Sequence, residues 1–239
     1  MVDGSIQPAP PFVLAGSAAD HARALQCLTD AVYYEAAREP DDGQRAVAQV
    51  VLNRVRHPAF PSTVCGVVFQ GSERRGCQFS FACDGSMARA PERAAWTRAA
   101  RVAAAALDGE VMPAVGMATH YHTYAVTPSW NRSLVMTGAF GAHFFHRWKG
   151  YWGTLAAFNQ AYRGHEPLPA PRPSAAPIDP MATPVPIAAL PRPIATPREA
   201  IQPAYADSGT PQKGYTPATA ALPESTILDR WKDTGKPLR

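Results

Sequence analysis

The chain has 239 residues, with 23 Lys and Arg against 19 Asp and Glu and a formal net charge of +4. This small excess excludes a dedicated nucleic-acid surface, and no apolar run approaches the ~18 residues that a membrane-spanning helix needs. Sixteen of the 25 prolines fall in the last 74 residues. We therefore expect one globular domain over residues 21–165, between a flexible lead (1–20) and a disordered, Pro/Ala-rich tail of low complexity (166–239).

Apolar residues at helical spacing predict three helices in the first part of the domain. The first spans residues 22–38 with Asp20 as its cap, and the proline at position 40 prevents its continuation. The second spans residues 41–55. A short helix over residues 64–69 follows, capped by Ser62.

The pattern predicts shorter elements beyond residue 76. Apolar and polar residues alternate over 77–83, which is typical of a strand, and an alanine-rich helix over 91–107 begins with a proline. A second strand is predicted over 117–124, an irregular segment over 128–148, and a last short helix over 155–162. The expected fold class is α+β, mainly α, with a small β region.

The four cysteines all lie in the predicted domain, at Cys27, Cys65, Cys77 and Cys83. No two of them form a C-x-x-C pair, and an even number predicts two disulfides and an oxidising compartment. Three pairings are open, and the spacing of six residues suits a local Cys77–Cys83 bridge. Residues 1–20 lack the basic start and long apolar stretch of a secretory signal, yet we expect a periplasmic or cell-wall location.

Glu35 is the strongest candidate for a catalytic residue. It continues the apolar stripe of Leu25, Leu28 and Val32 and lies near the carboxyl end of the first predicted helix. Partial burial and the negative end of a helix both raise the pKa of a carboxyl group. A carboxylic acid that stays protonated near neutral pH can donate a proton to a leaving glycosidic oxygen. An ordinary structural glutamate is the alternative.

Several spaced motifs place this glutamate in a wider pattern. They are Tyr33-x-Glu35-Ala36, Arg38-Glu39-Pro40, Gly43-Gln44, Asn53-Arg54-Val55, Cys77-Gln78-Phe79-Ser80, Asp84-Gly85, and the region of Tyr121, Trp130, His143 and Phe145. Together, over residues 25–148, they resemble the SleB-type cell-wall hydrolases, the spore-cortex-lytic enzyme family. The resemblance implies a lysozyme-like, lytic transglycosylase-like domain that cleaves peptidoglycan glycan strands between N-acetylmuramic acid and N-acetylglucosamine. It also implies that Glu35 is the catalytic acid.

The number of carboxylates bears on the mechanism. A second catalytic carboxylate has two candidates, Glu39, which follows the helix end, and Asp84, which lies in a predicted turn. Neither is well placed, so one acid and no cofactor favour a lytic transglycosylase over a two-carboxylate hydrolase. Candidate substrate-binding residues are Gln78, Ser80, Tyr121, His122 and Trp130.

Other functions remain as alternatives. His120, His122, His143 and His146 suggest a zinc amidase, but a third ligand would have to come from a distant segment, so we expect no metal. A cysteine nucleophile lacks a suitable motif. The main alternative is a non-catalytic peptidoglycan-binding or assembly protein. The expected partner is the glycan strand, with no nucleic acid and no membrane span, and a protein partner for the tail stays open.

Overall fold

The structure, a computed structural model, describes residues 6–73 and 76–171. Its elements are helices α1 (Ala18–Ala36), α2 (Asp41–Arg56), α3 (Val64–Val68) and α4 (Arg93–Leu107) and strands β1 (His120–Thr123), β2 (Val135–Phe140) and β3 (His143–Arg147). The predicted α+β, mainly α fold class is confirmed. None of the described helices has the length and apolar character required to cross a membrane. Residues 172–239, most of the predicted tail, lie outside the described residues.

The helix starts differ from the predictions by a few residues, for reasons visible at the caps. Ser17 and Asp20 form a reciprocal capping box, so α1 begins at Ala18 and Asp20 lies inside its first turn. The cap of α3 is Thr63 rather than Ser62, because the Thr63 hydroxyl accepts a hydrogen bond from the amide of Gly66 at 3.2 Å.

The main core lies between α1 and the other three helices. α1 packs against α2, α3 and α4, and side chains such as Leu28, Val51 and Phe69 are almost completely buried there. The Cys27–Cys65 disulfide joins α1 to α3, and the second disulfide is the predicted local Cys77–Cys83 bridge. The Cys27–Cys65 disulfide therefore links the middle of α1 covalently to α3.

The small sheet is antiparallel, with the strand order β1-β3-β2. The prediction of a strand over 117–124 holds for β1, but the irregular segment predicted over 128–148 was wrong because it contains β2 and β3. Those strands are irregular in pattern: the two phenylalanines of β3 are adjacent between polar residues, and a bulge interrupts β2 between Met136 and Gly138. Neither feature produces the alternation on which a strand prediction depends.

Two further element predictions were wrong. Residues 77–83 do not form a strand, because the disulfide between their ends closes a tight ring that contains a 3₁₀ turn, Ser80–Ala82. The predicted helix over 155–162 is reduced to one 3₁₀ turn, Leu155–Ala157.

Chain segments outside the predicted domain bounds pack onto it. Part of the lead predicted as flexible is buried, since Ala9 and Phe12 expose only 3% and 5% of their surface. Arg56 donates a hydrogen bond to the carbonyl of Pro10 at 2.6 Å. Glu166, placed in the predicted tail, is 1% exposed and accepts hydrogen bonds from the first turn of α3. The packed unit therefore reaches beyond residues 21–165 at both ends.

Candidate active site

An open groove of about 270 Å³ lies where the carboxyl end of α1 meets α2, the 77–83 ring and the sheet. Its lining combines one carboxyl group with hydroxyl, amide, imidazole and apolar groups. The lining residues are Glu35, Arg54, Gln78, Phe79, Ser80, Tyr121, His122, Thr123, Val126 and His143. Five of the predicted site residues, Glu35, Gln78, Ser80, Tyr121 and His122, are thus brought together from three separate parts of the chain.

Glu35 lies in the last turn of α1 and is only partly exposed. Its Oε2 accepts a hydrogen bond from the hydroxyl of Tyr121 at 3.1 Å. Burial raises the pKa of Glu35, while the Tyr121 hydrogen bond and the positive charge of Arg54 lower it and Asp84 raises it slightly. The net direction is upward, which agrees with the direction predicted from the apolar stripe. Glu35 is therefore suited to hold a proton that it can donate.

Tyr121 fixes the orientation of that carboxyl group. Its ring packs on β3, with ring-centre distances of 5.1 Å to His143 and 5.5 Å to Phe145. Burial raises the pKa of the Tyr121 hydroxyl well above its usual range, so the hydroxyl keeps its proton and donates it in a hydrogen bond. A donor at this point favours the ionised form of Glu35.

The 77–83 ring forms one wall of the groove. Gln78 is partly exposed and Ser80 is exposed, so both present polar groups to a ligand. Beneath them Phe81 stacks on Tyr34 of α1, with ring centres 4.8 Å apart. The Cys77–Cys83 disulfide and this stacking hold the two polar side chains near Glu35.

The structure separates Trp130 from the other predicted binding residues. Trp130 does not line the groove; its ring lies 5.5 Å from that of His122 and 5.6 Å from that of His146. His122 does line the groove, and its Nε2 lies 3.2 Å from Oδ1 of Asn131. Trp130 thus supports the groove wall from behind.

The two candidates for a second carboxylate lie outside the groove lining. Oε2 of Glu39 accepts a hydrogen bond from the amide of Ala142 at 2.9 Å, which holds the β2–β3 turn. Asp84 is exposed, and its Oδ1 accepts a hydrogen bond from the amide of Ser86 at 2.8 Å. Hydrogen bonds to Ser86 lower the pKa of Asp84, so it is ionised. Both carboxylates are occupied in shaping turns.

Sequence reasoning missed Arg54, Phe79, Thr123, Val126 and His143 as lining residues of this groove. Arg54 carried a usable signal, because it lies between Val51 and Val55 on the apolar stripe of α2. An arginine in such a place has to find polar partners inside the fold. The other four depend on how the ring and the sheet meet, and spacing along the chain does not report that.

The histidines of the sheet do not form a metal site. Within residues 6–73 and 76–171, no cluster of three or more His, Cys, Asp or Glu side chains is placed to hold a metal ion. His122 and His146 stack on each other at 5.2 Å, and His120 packs edge-on against Trp148 at 4.8 Å. Burial lowers the pKa of His146 to about 4, so this ring is neutral at physiological pH.

Comparison with known families and proteins gives a consistent result. Residues 38–146 match the model of a family described as Cell Wall Hydrolase. A spore cortex-lytic enzyme of Halalkalibacterium halodurans is 34% identical over 121 residues, 51% of this chain and 34% of that protein. The spore cortex-lytic enzyme of Bacillus subtilis is 50% identical over 46 residues, 19% of this chain and 15% of that protein. The chain therefore spans about a third or less of these curated relatives.

A solved structure is also similar. The catalytic domain of the Bacillus cereus SleB protein is 31% identical, with a TM-score of 0.44, over 53% of this chain and 91% of that one. The family match begins at residue 38, three residues after Glu35, so it covers most of the groove but not its carboxyl group.

Proposed function

The chain belongs to the cell wall hydrolase family through residues 38–146, and from this premise we propose that it is an enzyme that cleaves the glycan strands of peptidoglycan. The bond cleaved is the one between N-acetylmuramic acid and N-acetylglucosamine, and the enzyme acts as a lytic transglycosylase. The observation that carries the proposal is that, within residues 6–73 and 76–171, one carboxyl group lines the groove, Glu35, and burial raises its pKa.

The first step uses Glu35 as an acid. A raised pKa keeps a larger fraction of the carboxyl group protonated near neutral pH, when an exposed glutamate would be ionised. As the bond between C1 of the muramic acid and the bridging O4 breaks, the proton passes from Glu35 to O4, which leaves as a hydroxyl group. The positive charge that develops at C1 then requires a nucleophile.

The second step uses Glu35 as a base. No other carboxylate lines the groove among the described residues, so no second carboxylate is placed there to act as a nucleophile or base opposite Glu35. The C6 hydroxyl of the same muramic acid attacks C1 and forms a 1,6-anhydro ring. Its proton passes to the Glu35 carboxylate, which regenerates the acid. No water is consumed, and every proton is accounted for.

The remaining groove residues suit an amino-sugar polymer. Gln78 and Ser80 can exchange hydrogen bonds with sugar hydroxyls and acetamides, and His122 of β1 adds a polar ring to the lining. The exposed Val126 offers an apolar contact for the less polar sugar edges. An open groove also fits a long strand better than a closed pocket does.

The proposal places the enzyme outside the cytoplasm, where peptidoglycan lies. The two disulfides support this, because such bonds persist in oxidising compartments. The glycan strand is the proposed partner; a protein partner for the tail concerns residues outside the described part of the chain.

The test compares Glu35→Gln with a matched control, Asp84→Asn, in the full-length chain on purified sacculi. Both changes replace a carboxylate by an isosteric amide near the same groove. We expect Glu35→Gln to abolish release of soluble muropeptides while sacculus binding and the melting temperature stay nearly unchanged. Asp84→Asn should retain lysis within about threefold, because its carboxylate only shapes a turn.

Product analysis separates the mechanisms. Mass spectrometry should find 1,6-anhydro-muramic ends, one water lighter than reducing ends. Reducing ends alone, together with a large loss of lysis in Asp84→Asn, would establish a two-carboxylate hydrolase instead. Sacculus binding without cleavage by the wild-type chain would establish a binding protein, and release of free stem peptides would establish an amidase.

A further inference from the structure

Arg54 is a buried cation that lines the same groove as the proposed acid. It lies in α2 and exposes 3% of its surface. Its Nε donates a hydrogen bond to the carbonyl of Thr119 at 2.7 Å, and its guanidinium faces the rings of Phe60 and Phe79 at 5.3 and 5.4 Å. Backbone carbonyl and aromatic faces hold the group in place without neutralising it.

The charge of Arg54 has no counter-ion of its own. Among residues 6–73 and 76–171, the ion pairs of arginines with carboxylates involve Arg45 and Arg98, not Arg54. Nη1 of Arg54 is buried and has no hydrogen-bond partner there. Burial lowers the pKa of Arg54 to about 10, so the group remains protonated at physiological pH. An unpaired buried charge is costly, and a fold that retains one needs a compensating use for it.

The surroundings indicate what that use is. Arg54 lines the same groove as Glu35 and Tyr121, and its charge interacts with both. Arg54 as a whole exposes only 3% of its surface and its unpaired Nη1 has almost none, so the guanidinium offers little surface to a sugar. The cation therefore acts through its electric field on neighbouring groups.

We propose that Arg54 is a positioning residue for the reaction, a fixed buried cation that stabilises the Glu35 carboxylate formed when the proton leaves. The idea deepens the proposed function and rests on it for the role of Glu35. Burial stabilises the protonated form of Glu35 and so opposes release of its proton. A fixed positive charge offsets part of that effect and supports the carboxylate until it accepts the proton of the C6 hydroxyl.

Several other groups face Glu35, and the test has to allow for them. They are Tyr121 and His122 on β1, His143 on β3, Arg54 on α2 and Asp84 after the 77–83 ring. Tyr121 acts through its hydrogen bond, and Asp84 opposes ionisation from a distance. In the part of the chain that the structure describes, Arg54 is the one cation whose charge shifts the pKa of Glu35.

The experiment measures the titration of Glu35 directly, by ¹³C NMR of the labelled carboxyl group in the full-length chain. Arg54→Met should raise the pKa of Glu35 by about one pH unit, and Arg54→Lys by less, since the charge is kept. The control is Arg56→Met, two residues further along α2 and outside the groove lining. It should leave the pKa of Glu35 unchanged.

Lysis gives a second readout. Activity requires protonated Glu35, so it falls as the pH rises through the pKa of Glu35. In Arg54→Met, this fall of the pH–rate profile on its alkaline side, the alkaline limb, should move to higher pH by the same amount as the pKa of Glu35. The maximal rate should fall about three- to tenfold because the acid is weaker. A purely structural role would lower the rate without moving the limb.

A wild-type measurement keeps the proposal testable if Arg54→Met does not fold. The ¹⁵N resonances of the Arg54 guanidinium should shift with the pKa of Glu35, and this titration should disappear in Glu35→Gln. Absence of the titration in the wild type, or an unchanged Glu35 pKa in a folded Arg54→Met, overturns the proposal. Neither result depends on lysis, so failure of the proposed function would be seen separately, as a wild-type chain that does not cleave sacculi.

Discussion

Replacing Glu166 by alanine tests whether the segment after residue 165 is part of the folded unit. The Glu166 carboxylate accepts hydrogen bonds from the amides of Val64 and Cys65 at 2.7 and 2.8 Å, in the first turn of α3. The substitution leaves both amides without their acceptor at a site that is 1% exposed in the native chain. Each orphaned donor costs about 1–3 kcal/mol.

Two orphaned donors would together lower the free energy of unfolding by about 2–6 kcal/mol. We expect a loss of about 3 kcal/mol, in the lower half of this range, because water can enter the space and because burial of the carboxylate already carries a desolvation cost. That cost is visible as a raised pKa of Glu166 despite both hydrogen bonds. For a domain of this size, ~3 kcal/mol lowers the melting temperature by about 6–12 °C.

The assay is thermal and urea unfolding followed by circular dichroism, with Leu168→Ala as the control. Leu168 lies two residues further on and is 71% exposed, so its truncation should change stability by less than about 0.5 kcal/mol. Equal melting temperatures for Glu166→Ala and Leu168→Ala would refute the reasoning, since they would show that the hydrogen bonds from α3 to Glu166 contribute nothing measurable to stability.

Two further predictions concern stability. Burial raises the pKa of Asp30 to about 7 from 3.8, so the folded state binds its proton more tightly than the unfolded state does, and stability falls as the pH rises from about 4 to 7. Asp30→Asn should therefore match the wild type in urea unfolding at pH 4 and be more stable by about 2–4 kcal/mol at pH 8; an equal difference at both pH values would contradict this. Gly141→Ala should destabilise the domain by about 1–3 kcal/mol more than Gly85→Ala in the same assay. Both glycines have positive φ, but a Cβ at position 141 overlaps the Glu39 carboxylate, which can move away only by giving up its hydrogen bond from the amide of Ala142. Position 85 is open, so equal losses would count against a close contact at position 141.

Much of the helical part of the fold could be predicted from the chain alone. The apolar stripe of α1, ending at Glu35, and the stop at Pro40 are local features, and helix formation depends mainly on such local periodicity. The direction of the Glu35 pKa followed from the same stripe, because a carboxyl group on an apolar helix face is desolvated in any compact fold. The local bridge between Cys77 and Cys83 could also be predicted from their spacing in the sequence.

Contacts between distant segments decided the rest. The pairing of β2 with β3, the hydrogen bond from Tyr121 to Glu35 and the position of Arg54 beside them join parts of the chain that no local pattern relates. The sequence alone determined that an acid would lie at the end of a buried helix face. The tertiary structure alone decided which hydroxyl and which cation would surround it, because partners across the fold are set by how helices and sheet pack, and local spacing carries no record of that packing.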